Sequence, residues 1–292
     1  MTAAEPANPR PTLLAVLAHP DDESFGMGGT LARYAWSGAA VHLICATGGE
    51  EGTVDPELLQ GYGSIAERRM AELECAAAAL GLTGLTMLGY RDSGMPGAES
   101  NRYPEALAAQ PLDAVAERVC HEIRRLRPQV VVTFDPIGGY RHPDHIAIQQ
   151  ATVAAFHAAG DPARFPGGAP PYRPQKLYYH TFGRRVLRAA VALMPLFGQD
   201  PRRFGRNKDV DIAALAEVEF PIHARVDILP VQAAREAAAA CHASQGGGGG
   251  GLLGKLAGRA FGLVGGYETF MRAYPEAPPG LHEDDLFAGV VY

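Results

Sequence analysis

The sequence predicts an α/β protein built on a doubly wound, mostly parallel, Rossmann-like sheet with a smaller, irregular C-terminal part. Three observations carry this. Short apolar runs alternate with longer helical patterns through the first half, the mark of βαβ units with helices on both faces of a sheet. Two segments dense in His and Asp directly follow two of those runs, where open α/β sheets place their ligands. Finally, 292 residues at 47% apolar and 20% charged are enough for one large core. The chain reads as one domain over 1–292, with a core at 12–181 and a C-terminal cap from about 182 to 292.

Leu13 to Ala18 reads as the first strand and Gly28 to Ser37 as its returning helix. Val41 to Ala46 is the second strand, and Ile65 to Leu80, rich in Ala, Glu, Leu and Arg, the next helix. A strand at Leu85 to Leu88, a helix at Leu112 to Leu126 and a strand at Val130 to Phe134 follow. A helix from Pro143 to about Ala158 opens with Pro in its first turn, where the missing N–H costs nothing. Lys176 to Thr181 is a fifth strand; Ala216 to Arg225 holds another, placed near an edge by Pro221. Leu229 to Ser244 reads as a helix running into six glycines, Gly246 to Gly251, a flexible loop.

The net charge of −6 and the scatter of Lys and Arg argue against a nucleic-acid partner. Arg184, Arg185, Arg188, Arg202, Arg203, Arg206 and Lys208 flank an apolar stretch too short to span a bilayer, so no membrane role is expected. No secretory signal is visible at the N-terminus, and the expected location is the cytoplasm. Cys45, Cys75, Cys120 and Cys241 lack metal-type spacing and read as reduced core thiols. Oligomeric state has no signature in the sequence.

Ala18-His19-Pro20-Asp21-Asp22-Glu23 follows the first strand, and Asp135 to His145, containing Gly138-Gly139-Tyr140-Arg141-His142-Pro143-Asp144-His145, follows the fourth. If those strands are neighbours, the two segments meet. His19, Asp22 and His145 then supply three ligands to a zinc ion with one position open. Asp21 is left as general base for the attacking water, and His142 as an acid or a donor to the oxyanion. Taken singly, each segment reads as a turn with Asp capping a helix; together, at two strand ends, they favour the metal site. Gly26-Met27-Gly28-Gly29 lacks the dinucleotide-binding spacing and sits among acids that would repel a pyrophosphate, so it is read as close helix packing.

With these residues in view, the chain resembles the PIG-L/LmbE-like N-acetylglucosaminyl deacetylases, especially the branch of the mycothiol-pathway deacetylase and the mycothiol conjugate amidase. Besides the two motifs, Arg69-Met70-Ala71-Glu72-Leu73, Tyr90-Arg91-Asp92-Ser93-Gly94-Met95 and His242-Ala243-Ser244-Gln245 look similar. The resemblance implies a zinc-dependent deacetylase of N-acylated sugars, with His19, Asp22 and His145 as ligands and Asp21 as base. It further implies His142 as the group serving the leaving amine or the intermediate, Asp144 as its orienting neighbour and Tyr140 as a mobile oxyanion donor. Arg69 and Asp92 match positions holding the substrate's polar groups. The bland alternatives are a surface ion pair of Arg69 with Glu72, a turn at Asp92, a packed loop aromatic at Tyr140 and a helix cap at His242 and Gln245. His180 and His223 read as strand or core histidines, and Arg141 as a cation at the cleft mouth that would select an anionic substrate portion. Two-histidine, one-carboxylate donors suit Fe2+ as well as Zn2+. Rival readings are an amidase for a larger thiol conjugate and a sugar- or nucleotide-binding module without catalysis.

Overall fold

In the computed structural model, the structure describes residues 10–181, 188, 191–203, 212–246 and 266–292. Residues 182–187, 189–190 and 204–211 of the basic stretch, and the glycine run after Gly246, therefore lie outside the described residues.

Seven strands form one sheet in the order β3-β2-β1-β4-β5-β7-β6. They are β1 (Thr12–Leu17), β2 (Ala40–Thr47), β3 (Gly84–Tyr90), β4 (Val130–Phe134), β5 (Lys176–Thr181), β6 (Ala224–Asp227) and β7 (Tyr267–Tyr274). The first five pair in parallel, while β7 runs antiparallel to both β5 and β6. β1 and β4 are covered on both faces, which is why they read as unbroken apolar runs. They are direct neighbours, Leu13 opposite Val130, and the strand order reverses between them. That reversal opens the crevice in which both motifs lie.

The helices are α1 (Asp22–Trp36), α2 (Ile65–Leu80), α3 (Leu112–Leu126), the single turn α4 (Gly138–Arg141), α5 (Pro143–Ala158) and α6 (Gln232–Cys241). α1, α2 and α6 pack together, and α3 packs on α5, giving a layer on each side of the sheet. α2 has regular ends: the Ser64 side chain accepts the Glu67 N–H, and Gly81 closes it with φ 74°.

The structure departs from expectation in four places. α1 begins at Asp22, six residues before Gly28, because the helix passes through the glycines with a kink at Met27. A Cβ on Gly29 would stand 2.6 Å from Ile228, so this glycine does serve close packing. The expected helix Leu229 to Ser244 is a 3-10 turn, then α6, then another 3-10 turn. β7 was not foreseen, and it carries the edge strand β6, which starts three residues after Pro221. The fourth is a correction: Cys75 and Cys241 form a disulfide with Cα atoms 5.8 Å apart, and only Cys45 and Cys120 are free, buried thiols. Packing of α2 against the end of α6 joins positions 166 residues apart, which no local spacing announces. Among the described residues no helix is long and apolar enough to cross a membrane.

Candidate active site

The turn after β1 and the turn after β4 meet as expected. His19 Nδ1 lies 3.2 Å from His145 Nε2, Asp22 Oδ2 lies 3.5 Å from the former, and Asp22 Oδ1 lies 3.3 Å from the latter. Two ligands about 2.05 Å from a tetrahedral zinc stand about 3.3 Å apart, so these three donors have the spacing of a shared ion. Their outer partners orient them correctly. The His145 Nδ1–H donates to the Gly138 carbonyl at 3.2 Å, leaving the Nε2 lone pair toward the site, and the ring stacks on Phe134. The His19 Nε2–H faces Asp144 Oδ2 at 3.1 Å and Asp92 Oδ1 at 3.4 Å, leaving Nδ1 toward the site. Gly138 takes φ 66°, and a Cβ there would lie 2.9 Å from the His145 Cβ, so the turn that offers this carbonyl needs glycine.

The electrostatics also ask for a cation. Burial would lower the His19 pKa, but Asp92, Asp144 and Asp22 outweigh it and hold it well above the usual histidine value. Burial works to raise the Asp22 carboxyl, yet His145 and His19 hold it well below the usual range. A metal ion bound by the two imidazoles would take the place of the proton that these carboxylates favour on His19.

Asp21 sits beside this centre with its carboxyl in the cleft. Burial, opposed by the Arg69 guanidinium and reinforced by Asp22, raises its pKa to about 6. Arg69 makes no surface pair with Glu72; that pair belongs to Arg68, at 2.9 Å. Arg69 is buried, donating to Pro20 O at 2.6 Å, Gly49 O at 3.0 Å and Asp21 Oδ2 at 3.1 Å. Asp92 is equally buried: besides His19 it accepts the Gly94 and Glu51 N–H groups, and its carboxyl stays ionised because His19 outweighs burial. Neither is among the described residues lining the cleft; Arg69 contacts Asp21 and Asp92 contacts His19.

His142 Nδ1 accepts the Asp144 N–H at 3.2 Å, so its proton is on Nε2. Burial, with the charges of His19 and His145, pushes its pKa down to about 2, and it stays neutral. The Asp144 carboxylate, fully buried, accepts from His19 and from the Ser93 N–H at 2.8 Å and the Ser93 hydroxyl. Asp144 thus reaches His142 through its backbone and His19 through its side chain. Tyr140 packs edge-on to His145 and His142, and burial drives its hydroxyl pKa upward, so it remains a donor. Two other donor groupings exist among the described residues: His19 with His142 and His145, and His19 with Asp92, His142 and Asp144. The first is disfavoured by the His142 proton, and the second by its carboxylates being saturated with N–H and O–H donors.

A cleft of about 310 Å³ opens on this centre, lined by Asp21, Asp22, Tyr140 and His145 and, on its apolar side, by Phe25, Met27 and Phe134. His180 also lines it, at the carboxyl end of β5, and burial pushes its pKa down to about 4. Its position one strand beyond β4 was the signal by which the sequence could have been read this way. Arg141 is exposed with φ 66°. His223 accepts from the Arg272 N–H between strands, a structural contact. Glu23, which the sequence left without a role, and His242, read there as a helix cap, are completely buried and 2.6 Å apart.

Residues 14–156 match the family model PIG-L, described as GlcNAc-PI de-N-acetylase. A 1D-myo-inositol 2-acetamido-2-deoxy-alpha-D-glucopyranoside deacetylase of Thermobifida fusca (strain YX) is 37% identical over 295 residues, covering 94% of this chain and 98% of the relative. The enzyme of that name from Streptomyces avermitilis is 40% identical over 241 residues, 80% of this chain and 82% of its own. Among solved structures, a conserved protein of Thermus thermophilus superimposes with a TM-score of 0.59 at 26% identity, covering 91% of this chain and 96% of its own. The N,N'-diacetylchitobiose deacetylase of Pyrococcus horikoshii does so with 0.62 at 20% identity, over 92% and 87%, a likeness of fold. This chain, whose two motifs meet at the β1–β4 crevice, belongs to the PIG-L family.

Proposed function

We propose that the chain is a zinc-dependent deacetylase that hydrolyses the acetamide of a glucosaminyl-inositol; the names of its curated relatives give that substrate and reaction for them. The observation that carries this reading is the set of three donors, His19 Nδ1, His145 Nε2 and the Asp22 carboxylate, spaced for one ion and adjoining a carboxyl of pKa about 6. His19, Asp22 and His145 would hold the ion. When bound, Zn2+ acts as a Lewis acid that lowers the pKa of water to about 7 and polarises the acyl carbonyl; Fe2+ suits the same donors. The chain, 1–292, acts as one unit in this reading, since β7 and β6 extend the sheet that bears the motifs.

Asp21, ionised above about pH 6, takes the proton of the attacking water. The neutral His142 presents Nε2–H, and Tyr140 its hydroxyl, to the oxygen that gains charge as the carbonyl becomes tetrahedral. Asp21, now protonated, returns the proton to the departing nitrogen, giving acetate and the free amine. Arg69 keeps the Asp21 carboxylate ionisable and aimed, while Asp92 and Asp144 keep His19 in the tautomer that offers Nδ1.

Amine release from N-acetylglucosaminyl-inositol, N-acetylglucosamine and a bulky N-acyl thiol conjugate, before and after chelation and zinc return, tests the reading. The first substrate should be preferred, with activity lost on chelation and regained with zinc. Asp21→Ala should keep the metal and lose turnover, and His145→Ala should lose the metal. Near wild-type turnover in Asp21→Ala, or turnover unchanged by metal removal, would contradict it.

A further inference from the structure

Two buried ionisable groups without a part in this mechanism meet at the first motif. Glu23, the last residue of the first motif, and His242, 219 positions later, have no exposed surface. His242 Nε2 donates to Glu23 Oε1 at 2.6 Å, and the Ser24 hydroxyl donates to the same oxygen at 2.6 Å. The second oxygen, Glu23 Oε2, accepts the backbone N–H of Asp21 at 3.0 Å. Asp21 has φ 124° and ψ −27°, a conformation that a residue with a Cβ holds only where its surroundings impose it.

Each part of Asp21 is held separately. Its carbonyl accepts the Ser24 and Phe25 N–H groups, its carboxyl meets Arg69, and its N–H is held by Glu23. The chain around His242 is in turn fastened to α2 from both sides. Cys241 is joined to Cys75, and the Ser244 N–H and hydroxyl donate to Glu72 at 2.9 and 2.6 Å. α2 also bears Arg69, so the guanidinium that meets the Asp21 carboxyl and the fastening of the His242 segment both start from this helix.

We infer that Glu23 and His242 are positioning residues for Asp21: the buried pair fixes the strained turn and thereby aims the Asp21 carboxyl into the cleft. This rests on the reading of Asp21 as the base. An ordinary helix-start contact would need Glu23 alone. Burial of an imidazole against it from a distant segment, with that segment fastened to α2, is what a capping role leaves unexplained.

The test uses the zinc-loaded full chain with N-acetylglucosaminyl-inositol as the probe. His242→Ala and Glu23→Gln are measured alone and in an Asp21→Asn background, with kcat, KM and zinc stoichiometry as readouts. Each single change should lower kcat about 10- to 100-fold, the range for outer partners of a reactive group, with zinc content unchanged and KM within about twofold. His242→Gln, whose amide can donate from near the Nε2 position, should recover part of the loss. In the Asp21→Asn background neither change should lower the residual rate further. If His242→Ala does not fold, the near-isosteric Glu23→Gln gives the same reading. Wild-type kcat in both variants, an equal loss with and without the Asp21 carboxylate, or a loss that follows zinc content would overturn the inference. If Asp21→Asn is inactive and only the pair proves dispensable, the inference fails alone; if Asp21→Asn is fully active, the base reading fails with it.

Discussion

Replacing Asp144 separates the charge of this carboxylate from its hydrogen bonds. The group is fully buried; Oδ2 accepts from His19 Nε2 and Ser93 N, and Oδ1 from the Ser93 hydroxyl. In Asp144→Asn the amide oxygen can take the Oδ2 place and keep both N–H donors, while the amide NH2 faces the Ser93 hydroxyl, which also accepts the Ala108 N–H and must turn its own proton away. The charge facing His19 is lost, which costs about 1 kcal/mol, the difference between charged and neutral hydrogen bonds, or about five- to tenfold in zinc affinity, and the lost Ser93 O–H bond falls on fold stability instead. Asp144→Ala instead strands two buried donors at about 1–3 kcal/mol each and frees His19 to change tautomer, so zinc affinity should fall about 10- to 100-fold and the fold should lose stability. Zinc competition with a chromophoric chelator is the assay. It is best run at alkaline pH, because His19 must shed the proton that its carboxylates favour before it can bind the ion. Wild-type affinity in Asp144→Asn, or equal affinities in the two variants, would refute the orienting role.

Arg69→Gln removes the cation that lowers the Asp21 pKa, so the acid limb of kcat against pH, lost in the wild type as pH falls through about 6, should move up to about pH 7 or beyond. An unmoved limb would dissociate Arg69 from the base. His142→Ala should lower kcat by about 100- to 1000-fold with zinc retained, as for loss of an oxyanion donor, and single-turnover rates of zinc-loaded protein would show it. Because the wild-type imidazole is neutral above its pKa of about 2, its titration contributes no limb near neutral pH. Cys75→Ala with Cys241→Ala opens a crosslink between positions 166 apart and should cost about 2–5 kcal/mol in urea unfolding; an unchanged midpoint would contradict it.

Much of this could be read from local pattern. α2, α3, β4, α5 and β5 fall on the expected boundaries because each is a simple periodic run with a clear stop. The candidate metal centre is legible because its donors sit in two compact segments at strand ends, so only the β1–β4 adjacency lies beyond local pattern. What escaped the sequence depends on distant partners. β7 is a strand because it pairs with β5 and β6, partners that lie far from it in the chain. The start of α1 was hidden by its glycines, which set the expected start at Gly28, while their reading as close packing holds at Gly29 against Ile228. Arg69 looked like a surface partner of Glu72 because helix spacing shows neighbours on one face, not that Arg69 turns inward to Pro20 and Asp21. The disulfide and the Glu23–His242 pair join residues 166 and 219 positions apart, beyond any motif.

The most direct measurement is anomalous diffraction at the zinc edge from crystals of the zinc-loaded chain. The account predicts one ion per chain about 2.0–2.2 Å from His19 Nδ1, His145 Nε2 and an Asp22 oxygen. An ion on the opposite face of His19, between Nε2 and the carboxylates of Asp92 and Asp144, would contradict it.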